Sequence, residues 1–245
     1  MPAMGMILLK RHVKRQRHSE IRSISFVNSV CRPIHCADKL LGKAMENLLT
    51  TIRRCTQCKD HLPLGPRPVL IANPMAEVVI IGQAPGTKVH ASGIPWDDQS
   101  GRLLRQWLQL TPEQFYHNDK IAIMPMGFCY PGKGKSGDLP PRPECAPLWH
   151  HALLENMPRV KLILLIGQYS QKYYLKARMK KNLTETVAHY EEYLPYYFPL
   201  PHPSPRNRYW TQKNPWFDER VIPALRERLF AVFKSDRLLA TIITT

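Results

Sequence analysis

Apolar residues fall along this chain in two rhythms. Short unbroken runs, Val78-Val79-Ile80-Ile81, Ile121-Ala122-Ile123-Met124, the stretch VKLILLI at 160–166 and Tyr197-Phe198-Pro199-Leu200, show no polar alternation. Runs of that kind mark strands covered on both faces, as in a parallel sheet. Two of them end on a glycine (Gly82, Gly167) and the last runs into the proline-rich 201–205. Between them the spacing changes: Leu103, Leu104, Trp107 and Leu108 share one face of a predicted helix over 100–110. Further helices are predicted at 146–157, 170–179 and 217–234. Strands alternating with helices predict a three-layer α/β/α sandwich around a central four-stranded, mainly parallel sheet. Its functional loops then lie at the carboxyl ends of the strands, as GQAPG, PMGFCYPG, GQYS and HPSPRN.

Residues 1–44 do not share either rhythm. They carry nine Lys or Arg against Glu20 and Asp38, a net +7, and read as a disordered or loosely attached basic arm before a folded domain at 45–245. A biological start at Met45, with the arm outside the protein, is the alternative. Without the arm the chain keeps +9 of its total +16, so the folded part is itself basic. That balance favours a polyanionic partner, nucleic acid ahead of a membrane surface, because Lys and Arg on phosphates release condensed counterions. No run approaches the roughly 20 apolar residues of a bilayer span. The apolar stretch Met4 to Leu9 is short and is followed by basic residues, unlike a secretory signal. A soluble, cytoplasmic monomer is expected, with its six cysteines as metal ligands or free thiols rather than disulfides.

Four of those cysteines form a pattern. Cys55 and Cys58 make a CxxC pair before the first strand, and Cys129 and Cys145 bracket the long loop after the second. Four thiolates suit a [4Fe–4S] cluster or a tetrahedral zinc, and the lack of a second CxxC counts against zinc. Cys31 and Cys36, in the arm, are expected to ligate nothing.

The run VIIGQAPG (79–86), preceded by CTQC and followed by SGIPWDDQSGRLL (92–104), resembles the opening half of the iron–sulfur, family 4, uracil-DNA glycosylases. His202-Pro-Ser-Pro205 is similar to that superfamily's second motif, and Cys129 and Cys145 are spaced as in the family, whose four cysteines hold a structural [4Fe–4S] cluster. The resemblance spans about residues 45–233. It implies a monofunctional enzyme that flips a base from DNA and hydrolyses its N-glycosidic bond with water, not a lysine Schiff base. Gln83, Ala84, Pro85 and Gly86 would line the pocket, Trp96 would stack on the base, and His202 would donate a hydrogen bond to the base oxygen as it becomes anionic. Ser204 would hold a phosphate, with Arg206 or Asn207 entering the groove.

Two positions depart from the family. Where family members commonly have Glu, this chain has Gln83, which can position water but cannot take its proton. Asp97 and Asp98 are the nearby carboxylates, and Asp98 is the expected base. Where the family reads the base edge with Asn, this chain has Pro125, which offers no side-chain donor. The expected activity is therefore excision of uracil or a related deaminated base, and the alternative is a weakened or inactive glycosylase-like DNA-binding iron–sulfur protein.

Overall fold

The structure, a computed structural model, describes residues 33–135 and 137–243. In chain order its regular elements are α1 (Pro33–Arg53), β1 (Val78–Ile81), α2 (Thr87–Ser92), α3 (Gln99–Leu108), α4 (Pro112–Tyr116), β2 (Ile121–Ile123), α5 (Cys145–Glu155), β3 (Leu162–Ile166), α6 (Gln168–Leu175), α7 (Leu183–Ala188), β4 (Tyr197–Leu200), α8 (Arg208–Lys213) and α9 (Ile222–Ile243). The four strands form one sheet in the order β2-β1-β3-β4, every pair parallel, with Val78 opposite both Ile121 and Leu162 and Ile163 opposite Tyr197. Pro199 lacks an N–H for the ladder and sits on β4, an edge strand, where that loss is tolerated.

Burial explains the unbroken apolar runs. Val78, Ile80, Leu162, Leu164, Ile166, Phe198 and Leu200 point to one face and pack with Leu104 and Leu108 of α3 and Leu225 and Leu229 of α9. Val79, Ile81, Ile163 and Leu165 point to the other and pack with Met45 and Ile52 of α1 and Leu153 of α5. Because successive strand residues face opposite sides, two cores need two apolar sets, and the result is the predicted three-layer sandwich. The strand starts are pinned by a charge. Glu77, almost wholly buried, lies 2.7 Å from Lys120 and 3.3 Å from Lys161, the residues that lead into β2 and β3.

Three elements differ from the sequence reading. Residues 33–44, read as part of the arm, belong to α1: Met45, Leu48, Leu49 and Ile52 give that helix an apolar stripe, and Asp38 pairs with Arg159 at 3.1 Å. The rest of the arm, with Cys31, lies outside the described residues, as does the side chain of Cys36. The terminal helix runs to Ile243 and starts from a wide π turn over Phe217–Val221. An unassigned segment at 69–71 runs antiparallel beside β2, with Val69 N donating to Phe128 O and Ile71 N to Ile123 O. Among the described residues no helix is long and apolar enough to cross a membrane.

Candidate active site and thiol cluster

A cleft of about 390 Å³ opens at the carboxyl ends of the strands. Strand order explains its place: the chain passes from β1 to β2 on one side of it and then crosses to β3 on the other, and loops diverge at such a switch point. Gln83, Ala84, Pro85 and Gly86 after β1, Trp96 and Asp98 before α3, Pro125 after β2, and His202, Ser204 and Arg206 after β4 all line it. Asn207 stands just behind, where its Nδ2 donates to His202 O at 2.8 Å. The first and last strand loops therefore meet across one space. This meeting is a tertiary fact, since the two segments lie more than a hundred residues apart.

Trp96 is held in an unusual way. It has φ 58°, in the left-handed region that bulky residues avoid. Its ring sits 5.6 Å from the His202 ring and over Gly82, where a Cβ would stand 2.6 Å from the indole. Gly101 of α3 admits the Trp96 carbonyl so closely that a Cβ there would meet the oxygen at 1.7 Å. Backbone cannot yield as a side chain can. Gly101→Ala is expected to cost about 2–3 kcal/mol, at the upper end for overpacking, and to displace Trp96. Urea unfolding and the indole fluorescence would check this, an unchanged midpoint and spectrum counting against it.

The chemistry of the walls is uneven. Burial pushes the His202 imidazole below its ordinary pKa, partly offset by the Asp98 carboxylate, so the ring is neutral at neutral pH and can donate from one nitrogen. Asp98 caps α3, its Oδ1 accepting from Gly101 N at 2.8 Å. One of its oxygens is thus committed to the fold, which the sequence reading of Asp98 as a base did not foresee. Gln83 is committed too: its Nε2 donates to Leu139 O at 3.2 Å. The Ser204 Oγ accepts from Arg206 N at 3.3 Å, which leaves the hydroxyl hydrogen for another acceptor.

Two groups were missed from sequence. Asp138, in the Gly- and Lys-rich loop, lines the cleft together with Lys133; only its place in a loop after a strand pointed there. Behind Pro125 lies a buried polar chain. His150 Nε2 is 3.1 Å from Pro125 O and its Nδ1 is 2.7 Å from the Tyr174 hydroxyl. Since a carbonyl only accepts, Nε2 carries the hydrogen and Tyr174 donates to Nδ1. Burial lowers His150 to about 4 and raises Tyr174, and the His150 ring stacks on Phe128 at 5.6 Å. A histidine within an apolar helix gave no such signal.

Cys55, Cys58, Cys129 and Cys145 line a single small void with Leu62, Pro68, Phe128, Arg142 and Trp149. All four are free thiols. Burial pushes Cys129 up to about 11 and Cys145 up to about 12, so any metal must displace their protons. Phe128 N donates to Cys145 Sγ at 3.5 Å, and Trp149, which also lines the void, has an Nε1 that is buried with no hydrogen-bond partner among the described residues. Yet among those residues no three His, Cys, Asp or Glu side chains are grouped to hold one metal ion. Cleft and void share a wall, because Val69 and Pro125 line the first while Pro68, Phe128 and Cys129 line the second.

Comparison with known proteins adds two findings. Residues 71–226 match the family described as the uracil DNA glycosylase superfamily. A solution NMR structure of a "putative Uracil DNA glycosylase" from Methanosarcina acetivorans is similar at 16% sequence identity and a TM-score of 0.38, over 66% of this chain and 97% of that one.

Proposed function

The chain belongs to the uracil DNA glycosylase superfamily, and from that membership we propose that it is a monofunctional DNA glycosylase hydrolysing the N-glycosidic bond of uracil or a related deaminated base. The observation that carries this reading is the meeting of the GQAPG turn and His202 across one cleft of base-accommodating size. A nucleotide turned out of the stack would place its base against the Trp96 ring, and Gly86 leaves the backbone there without a Cβ to obstruct the sugar. As the C1′–N bond breaks, negative charge grows on the base oxygens. A neutral, half-buried imidazole donates to such an oxygen without needing to be charged first. Ser204 and Arg206, at the mouth, face the phosphates of the flipped nucleotide, and the +16 charge of the chain favours DNA over other ligands.

The four thiols line one void, where Cys55 and Cys58 after α1, Cys129 after β2 and Cys145 at the start of α5 would hold a [4Fe–4S] cluster. When bound, the cluster supplies covalent ties between these segments rather than redox chemistry. Phe128 N would keep its hydrogen bond to Cys145 Sγ, and the unpartnered Trp149 Nε1 would be a second donor on the same void. Such a centre belongs in a reducing cytoplasm. Anaerobically purified protein is expected to be brown, with iron and sulfide near four per chain, and Cys145→Ala to lose both together with thermal stability. Colourless protein holding zinc would overturn the cluster.

A specific observation also favours a second reading, a DNA-binding protein that has lost catalysis. Pro125 offers the base no side-chain amide and its carbonyl accepts from His150, while Gln83 Nε2 already donates to Leu139 O. Single-stranded DNA containing uracil, then hypoxanthine and xanthine, decides between them. Release of free base from any one of these supports the glycosylase. Tight binding without release across the series selects the second reading.

A further inference from the structure

Hydrolysis of a glycosidic bond needs a water at C1′ and a place for its proton. Of the residues that the sequence offered, Gln83 is not a base, and Asp98 spends its Oδ1 on the cap of α3 and keeps only Oδ2 for water. The long loop supplies another group. Residues 132–134 run back beside 137–139: Leu139 N donates to Gly132 O at 2.8 Å, Gly134 N to Gly137 O at 2.6 Å, and Lys133 pairs antiparallel with Asp138. The Gln83 side chain grips this loop at Leu139 O, 3.2 Å away. The residue next to that grip, Asp138, turns its carboxylate into the cleft against the GQAPG turn. A Cβ on Gly86 would lie 3.3 Å from its Oδ2.

We propose that Asp138 is the carboxylate that orients and deprotonates the attacking water, and that Gln83 is a positioning residue that holds it there. The inference rests on the glycosylase reading. In the step, a lone pair of the water oxygen forms the O–C1′ bond as the C1′–N bond breaks and its electron pair passes to the base. Asp138 takes the water proton and later gives it to solvent. The base leaves as an anion on the His202 N–H and takes a proton from solvent, so the products are free base and a 1′-hydroxyl sugar.

The surroundings agree with this role. Among the described residues no hydrogen bond is made to the Asp138 carboxylate, so both oxygens are available to water. Burial raises its pKa, Arg206 and Lys133 draw it down, and Asp98 raises it again. A carboxylate lifted in this way is a stronger base than an ordinary one. The arrangement also accounts for Gln83: an amide can donate to a carbonyl, as a carboxylate cannot. Against the family pattern, the acidic group has moved from the turn after β1 to the loop that the turn holds.

The test is single-turnover release of base from whichever lesion DNA the wild type cleaves. Asp138→Asn should be slower by about 10²–10³-fold, within the range for general-base catalysis, while keeping affinity for DNA with a tetrahydrofuran abasic-site analogue. The acid limb of the wild-type rate profile should disappear with it, which a merely structural change would not cause. Gln83→Leu should slow wild type by about tenfold but add little to Asp138→Asn, since the two act as one unit. Asp138→Glu, which keeps the carboxylate, should retain more rate than Asp138→Asn. Should the Asn variant lose analogue binding, equal rates for Glu and Asn overturn the assignment. An active wild type with an equally active Asp138→Asn overturns it alone, whereas a wild type that releases no base from any lesion overturns the glycosylase reading and this inference with it.

Discussion

Alanine at His202 is expected to slow base release by about 10²–10³-fold, the usual cost of removing one donor to a developing oxyanion. The loss should fall on the chemical step, because the proposed DNA contacts, Ser204, Arg206 and the basic surface, are left in place by the change. The size of the effect follows from how firmly the ring is held. Asn207 Nδ2 pins the His202 carbonyl, and Gln171 Nε2, buried, donates to both Leu165 O and Leu200 O, tying β4 to β3 just before the loop. Trp96 covers one face of the imidazole. A donor fixed before the substrate arrives pays no reorganisation when charge develops. Single-turnover excision by His202→Ala at the wild-type rate, with binding intact, would show that the ring is only a packing element of the loop.

The second large effect concerns acid. Unfolding free energy should drop by about 2 kcal/mol between pH 7.5 and 5 through His150 alone, approaching about 3 kcal/mol by pH 4. The sign follows from proton counts. The unfolded ring takes up a proton near its ordinary 6.5, whereas the buried ring resists until about 4, so between those values the unfolded chain binds more protons. Stability is therefore full above pH 6.5 and is lost as pH falls through that window. Charging the ring in place would also remove the acceptor that Tyr174 donates to, and would leave a cation among Phe128 and Tyr174. Urea unfolding of the wild type and of His150→Gln at pH 7.5 and 5 isolates this contribution, since other titrating groups are common to both. The gap between them should narrow by about 2 kcal/mol at the lower pH. Parallel loss in the two proteins would exclude His150 as the cause.

His150 also shows where sequence reading stops. Its position in α5 is legible, and so is the apolar character of that helix, but nothing local says that its Nε2 meets the Pro125 carbonyl at the cleft wall. Asp138 is a like case. In sequence it is one acid in a loop rich in glycine, proline and lysine, and it enters the cleft only because Gln83 and the bonds within the loop turn it there. Asp98 is the converse case: it is close to the motif and lines the cleft, and an N–H group of α3 claims one of its oxygens. The boundary of the arm moved for a similar reason, since the apolar stripe of α1 finds its partner on α5 and the sheet, far along the chain.

What the sequence determined by itself was whatever depends on neighbours in the chain. Unbroken β-branched and aliphatic runs require two covered faces, which makes the sheet parallel and puts the loops at one end. Glycines at 82 and 86 mark a turn of close approach, and four cysteines, two of them in a CxxC pair, mark a thiol site. What only the tertiary structure decided was which polar groups remain available once folding has used the rest. Backbone donors and acceptors must be satisfied before a side chain is free for chemistry, and that accounting closes only when segments distant in sequence are brought together.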